Sequence, residues 1–267
     1  MTAVVLEKIW KEYGDQIVLE NIDIRIESGS FVALVGPSGC GKTTLLKMLL
    51  GEEKPTTGRI LLDGTPLKPE PDWDRGVVFQ RYSVFPHLTV LGNVLVGREF
   101  EQSLFWGRLF GDKRRRAIED ARALLKAVGL SDHENKFPAA LSGGMQQRLA
   151  LAQALMRKPK VLLLDEPFGA LDPGIRAEVH AVMNELWMAE GITVVMVTHD
   201  LSEAFRLGTR VIALERRRNR PEEKERYGAT IAHDITVWPP KKQNVLNGSA
   251  AALAPTSATL SASAALH

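Results

Sequence analysis

The run Phe31-Val32-Ala33-Leu34-Val35-Gly36-Pro37-Ser38-Gly39-Cys40-Gly41-Lys42-Thr43-Thr44 joins a continuous apolar segment to a glycine-rich turn. Five apolar residues bounded by glycine read as a buried strand. Gly36 to Thr43 then follows the spacing glycine, four residues, glycine, lysine, threonine, the pattern of a phosphate-cradling loop. Each residue type has a task there. Glycines let the backbone curl so that successive N–H groups point at phosphate oxygens. The helix expected from Lys42 onward, with Leu45, Leu46, Met48 and Leu49, adds the partial positive charge of its N-terminus. Lys42 is expected to reach the β- and γ-phosphates, and the Thr43 hydroxyl to ligate Mg²⁺. The candidate nucleotide-binding set is therefore Gly36, Pro37, Ser38, Gly39, Cys40, Gly41, Lys42, Thr43 and Thr44.

Working outward, a metal-carboxylate partner belongs at the end of another buried strand. Val161-Leu162-Leu163-Leu164-Asp165 supplies one, and Glu166 follows at once. Asp165 is the expected Mg²⁺ holder, and Glu166 the expected general base. A second glycine-rich stretch, Leu141-Ser142-Gly143-Gly144-Met145-Gln146-Gln147-Arg148, precedes an apolar helical run. Ser142 can cap that helix, and the N–H groups of Gly143 and Gly144 can take an anion. One ATP does not need two cradles in a subunit, so this loop is expected to serve a nucleotide held by a second subunit.

The rest of the chain fits an α/β protein. Ile22, Ile24 and Ile26 alternate with polar residues, as in a half-buried strand. Ile60 to Leu62 leads to the turn pair Asp63-Gly64, and Gly76 to Phe79 reads as a short strand. Apolar runs at 161–164, 192–197 and 211–214 alternate with helical patterns at 173–189 and 200–207, which predicts a mainly parallel sheet with crossover helices. No strand is expected from about 88 to 157, a helical insertion. Within it a helix is expected over 113–128, capped by Asp112 and stopped by Gly129. Lys113–Arg116 reads as its solvated start, and 104–110 (Leu-Phe-Trp-Gly-Arg-Leu-Phe) as an aromatic patch. A mixed-charge loop over 215–226 and an edge strand over 229–235 follow. Residues 236–267, poor in charge and rich in Ala, Ser and Thr, read as a disordered low-complexity tail.

Composition narrows the classes. The chain has 267 residues, 45% hydrophobic and 25% charged, the proportions of a globular protein. Lysine and arginine number 34 against 32 aspartate and glutamate, a net charge of +2, so no nucleic-acid partner is expected. Cys40 is the single cysteine, which excludes an internal disulfide and a four-cysteine zinc site. No membrane helix and no secretory signal are expected.

Taken together, these motifs resemble the nucleotide-binding subunit of ABC transporters, with Gly36–Thr43 as its phosphate loop and Leu141–Met145 as its signature loop. The likeness runs from about residue 4 to 214. It implies a P-loop NTPase core, an antiparallel β subdomain and the helical insertion, with an ATP-binding domain over 1–235. It adds further site residues. Tyr13 resembles the aromatic that stacks on adenine. Gln80 resembles the glutamine that touches Mg²⁺ and the attacking water. Gly169-Ala170-Leu171-Asp172 resembles the loop that crosses the dimer interface, and His199 the histidine that contacts the γ-phosphate. Glu166, His199 and Gln80 are thus the catalytic candidates, and Thr43, Gln80 and Asp165 the metal candidates. Position 145 departs from the family's usual Gln by being Met, while Ser142 and the glycines are intact.

Stretches 75–90, 141–148 and 165–172 look like the importers of nitrate, sulfonates and taurine. Shorter stretches at 80–87 and 172–176 resemble members associated with urea-carboxylase pathways. The resemblance implies ATP and Mg²⁺ as cofactors. It implies a second copy or related ATPase subunit, an integral membrane permease and, indirectly, a solute-binding protein as partners. The chain would then lie on the cytoplasmic face of the membrane. The alternative is an ABC-type ATPase with no permease. DNA-handling relatives carry coiled coils or zinc modules and translation relatives carry two cassettes, both absent from this sequence; iron–sulfur assembly ATPases are the nearest such rival.

Overall fold

A computed structural model describes residues 4–79, 84–102, 111–216 and 227–237. Gln80, the patch at 104–110, the loop from 217 to 226 and the tail from 238 lie outside these residues. One compact unit runs to Val237.

Two sheets carry the fold. The first has the order β2-β1-β4-β5, formed by β1 (Val4–Tyr13), β2 (Gln16–Ile26), β4 (Thr57–Leu62) and β5 (Thr65–Pro66), all antiparallel. The second has the order β10-β9-β3-β8-β7-β6. Its members are β3 (Phe31–Val35), β6 (Arg75–Val78), β7 (Val161–Asp165), β8 (Thr193–Val197), β9 (Arg210–Glu215) and β10 (Thr230–Thr236). Every pairing in it is parallel except β9 with β10. The expected mainly parallel sheet and antiparallel subdomain are both present.

The continuous apolar runs are explained by burial on both faces. Phe31, Ala33 and Val35 of β3, with Leu162, Leu164, Val194 and Met196, enter one core. Val32 and Leu34, with Leu163, Val195 and Val197, enter the other. The first core is shared with α2 (Val90–Gln102), α3 (Gly111–Ala127), α4 (Gly143–Leu155) and α5 (Pro173–Glu190); the second with α1 (Lys42–Leu50) and the antiparallel sheet. The last helix, α6 (Leu201–Leu207), packs on β3 and β9.

Two ties position the site. Ala229 bridges to Leu19, fixing β2 against the parallel sheet. Trp187 Nε1 donates to Gly29 O at 3.1 Å, and its ring meets Phe31 edge-on at 5.7 Å, fixing α5 against the start of β3. The helix expected from Asp112 instead begins at Gly111, whose φ of +59° turns the chain into it; Asp112 stands in the first turn rather than at the cap.

Candidate nucleotide site

The Gly36–Thr43 loop leaves β3 and enters α1, as expected. Three of its glycines adopt positive φ: Gly36 (152°), Gly39 (76°) and Gly41 (96°). At two of them no side chain fits. A Cβ on Gly36 would lie 2.2 Å from Leu214 O, and one on Gly41 would lie 2.7 Å from Leu19 Cδ2. The loop is thus pressed against β9 on one side and β2 on the other.

Gly41 caps α1 in the left-handed region with no side-chain bond. The N–H groups of Lys42, Thr43 and Thr44 therefore have no partner within the helix and are free to face an anion. Lys42 Nζ donates to Gly36 O at 2.7 Å and Pro37 O at 2.9 Å, arching over the loop that carries it. Cys40 contributes backbone only; its thiol is buried, 3.9 Å from Lys42 Nζ. A cavity of about 330 Å³ opens here, lined by Ser38, Gly39, Gly41, Lys42, Thr43, Thr44 and Glu166, with Gln16, Val18 and Arg216. The last three had no motif to mark them. Arg216 sits in a mixed-charge run that reads as solvent, and Gln16 and Val18 become wall residues only through the pairing of β2.

Asp165 and Glu166 close the site from β7. Thr43 Oγ1 donates to Asp165 Oδ1 at 3.4 Å. Burial, and then the adjacent Glu166 carboxylate, hold the Asp165 carboxyl above its usual range. Glu166 has a φ of +46°, strained for a residue with a side chain. Its N–H donates to Val197 O at 2.9 Å, which fixes the bend. That bend sends Glu166 Oε2 to 3.4 Å from His199 Nδ1, at the end of the neighbouring strand β8.

The donor set suits Mg²⁺. Thr43 and Asp165 offer only oxygen, as a hard cation requires, and the surplus negative charge felt by Asp165 favours one. Among the described residues no group of three or more acidic, His or Cys side chains could hold a metal alone. An Mg²⁺ ion held here would take the rest of its shell from phosphate oxygens and water, as is usual for this ion.

Tyr13 stands at the rim. It is 46% exposed, its hydroxyl bonds the Glu53 carboxylate and Thr44, and Lys11 Nζ lies 4.7 Å from its ring centroid. The second glycine loop lies elsewhere. Ser142 Oγ accepts from Met145 N at 3.4 Å and caps α4, a bond from backbone that any residue but proline can make at 145. A Cβ on Gly144 would lie 2.1 Å from Ile175 Cγ2, so the loop nests against α5. Among the described residues lining the Lys42 cavity, none belongs to Ser142–Gly144.

A glycine cradle built between two sheets, and a carboxylate pair at the end of the adjoining parallel strands, are now fixed in space. The sequence profile of the ABC transporter family matches residues 19–169. This chain belongs to the ABC transporter family, as an ATP-binding domain. Curated relatives agree. It is 45% identical over 210 residues to the aliphatic sulfonates import ATP-binding protein SsuB 3 of Pseudomonas syringae pv. syringae, covering 79% of this chain and 72% of that one. To the protein called SsuB from Pectobacterium atrosepticum it is 45% identical over 214 residues, 80% and 74% of the two chains. Among solved structures it is similar to the dimeric bacterial ABC transporter cassette MJ0796, with a TM-score of 0.69, 32% identity, and 88% and 98% coverage. A second structure of that cassette, in a post-hydrolysis state bound to ADP and Pi, gives a TM-score of 0.67 at 31% identity and the same coverage. Among the described residues no helix of this ABC domain is long and apolar enough to cross a membrane.

Proposed function

We infer that this chain binds MgATP at the Lys42 loop and energises a transmembrane importer of the nitrate, sulfonate and taurine group. It is an ATPase of the ABC family. The observation that carries the site assignment is that Lys42, Thr43 and Glu166 line one cavity, with Asp165 bonded to Thr43 and His199 beside Glu166. The relatives named for aliphatic sulfonate import support a small sulfonate-like solute.

In this reading Lys42 exchanges its two carbonyl partners for β- and γ-phosphate oxygens. The N–H groups of Gly39 to Thr44 take the remaining phosphate charge. Thr43 and Asp165 would hold Mg²⁺, which supplies charge neutralisation at the phosphates. Glu166 accepts the proton of the attacking water. His199 orients Glu166 and reaches toward the γ-phosphate, and Gln80 is assigned to Mg²⁺ and the attacking water. Tyr13 offers the ring face away from Lys11 to adenine.

Ser142, Gly143 and Gly144 are assigned to a nucleotide in the partner subunit, because they cap their own helix away from the Lys42 cavity. The dimeric neighbour supports that pairing. ATP would then be held between two chains, and closure of the dimer would move the permease, with a solute-binding protein delivering cargo. Closure driven by contacts made only in one state is the general form of such switching. The ATP-binding domain is assigned to residues 1–235 and the remainder to a separate tail.

Affinity purification from mild detergent tests the transporter reading. The expected result is an integral membrane protein that co-purifies and raises ATP turnover. A chain that hydrolyses ATP at full rate alone, and never enriches a membrane protein, would sink it.

A further inference from the structure

His199 is exposed, but the residue before it is not: Thr198 is buried, as is Glu203 on α6. The Thr198 hydroxyl donates to Glu203 Oε2, and Asp200 N–H donates to the Thr198 oxygen at 3.1 Å. The other carboxylate oxygen, Glu203 Oε1, lies 3.0 Å from His180 Nε2 on α5. His180 is buried too, and its ring meets Phe168 edge-on with centroids 4.7 Å apart. Phe168 is two residues past Glu166. One imidazole therefore touches both chain segments that run on from the Glu166–His199 pair, through Phe168 and through Glu203.

Its neighbour one turn earlier on α5 works alongside. Arg176 Nη2 donates to Leu171 O at 3.1 Å, and Nη1 to Asp200 Oδ2 at 3.3 Å. A buried carboxylate persists only with its oxygens bonded. Here Thr198 and His180 each take one. His180 Nδ1 has no hydrogen-bond partner among the described residues. Packing against Phe168 alone would favour an apolar side chain at this position, so the bond from Nε2 is what the imidazole adds.

We propose that His180 is a positioning residue for ATP hydrolysis. Through Glu203 and Thr198 it fixes where His199 stands, and through Phe168 where Glu166 stands, without touching the nucleotide. The inference rests on the assignment of Glu166 and His199 as the hydrolytic pair.

The test compares His180→Ala and His180→Gln in the full chain, with turnover at saturating MgATP, nucleotide affinity and circular dichroism. The alanine variant is expected to lose roughly ten- to a hundredfold in kcat, the scale of an ~1 Å misplacement, with affinity within about twofold. Glutamine, whose amide can donate to Glu203, is expected to recover most of the rate. In a Glu166→Gln background the alanine change should add no further loss. Thr198→Val, which keeps shape and removes the hydroxyl, provides an arm that does not depend on His180→Ala folding, with the same kcat loss expected. Full kcat in a folded His180→Ala or Thr198→Val chain overturns the proposal. So does an equal loss of rate and affinity that glutamine does not rescue, the mark of plain structural damage. A Glu166→Gln chain with wild-type turnover would instead overturn the assignment of the pair, and this inference with it.

Discussion

Glu166 Oε2 and His199 Nδ1 stand 3.4 Å apart at the ends of neighbouring parallel strands, and a backbone bend at Glu166 with φ +46° brings them there. A carboxylate so placed is held by its backbone as well as its side chain. Glu166→Gln preserves shape and should bind MgATP normally while the chemical step slows by roughly 10²–10⁴-fold. Binding without hydrolysis should make the variant accumulate as an ATP-bound dimer on size exclusion, where the wild type alone stays mostly monomeric. Near wild-type turnover would remove Glu166 from the mechanism.

Lys42→Ala removes the ammonium that arches over the phosphate loop. A charge-assisted hydrogen bond contributes about 1.5–3 kcal/mol, so MgATP affinity should fall at least tenfold. The far-ultraviolet circular dichroism should not change, because the loop's shape is set by its glycines against Leu214 and Leu19. Fluorescence titration measures the affinity; full-strength binding contradicts the assignment.

Ser142→Arg should abolish hydrolysis yet leave nucleotide binding to the isolated monomer nearly intact. The Ser142 loop does not line the Lys42 cavity, so its effect must come through a second chain. Equal loss of monomer binding would show that it acts on its own subunit's nucleotide.

Asp165 makes a prediction about pH. Burial and the Glu166 charge raise its folded pKa. An acid with a raised folded pKa binds its proton more tightly in the native state. Its ionisation therefore costs stability as pH rises from the ordinary carboxylate range through the raised value, and the full cost persists above. Without nucleotide, Asp165→Asn should melt higher than wild type at neutral pH, and the difference should shrink as pH falls below the ordinary carboxylate range. A pH-independent difference in Tm would point to lost packing or hydrogen bonding instead.

The parallel sheet and the phosphate loop were legible because each strand is buried on both faces and writes an unbroken apolar run. Strand β1 was not. Val4, Leu6 and Ile9 are buried, but register shifts after Leu6 and Ile9, with Lys8 at φ +49°, break the alternation that would announce it. The carboxylate pair could be read from Val161–Glu166, whereas its support could not. His180 lies on an ordinary amphipathic helix, and Glu203 looks like any acidic residue in a first helical turn. Only the folding of α5 over both loops brings them together. Arg216 was hidden for the opposite reason: nothing in a mixed-charge run says which side chain turns inward.

The contact between Gly144 and Ile175 implies a rule about inheritance. A methyl group at 144 would occupy the space of Ile175 Cγ2, only 2.1 Å away, so no side chain can enter there unless α5 yields first. Growth at position 144 in the lineage of this chain is therefore tied to what position 175 places against it. Related sequences with alanine at the equivalent of 144 should carry no isoleucine at the equivalent of 175.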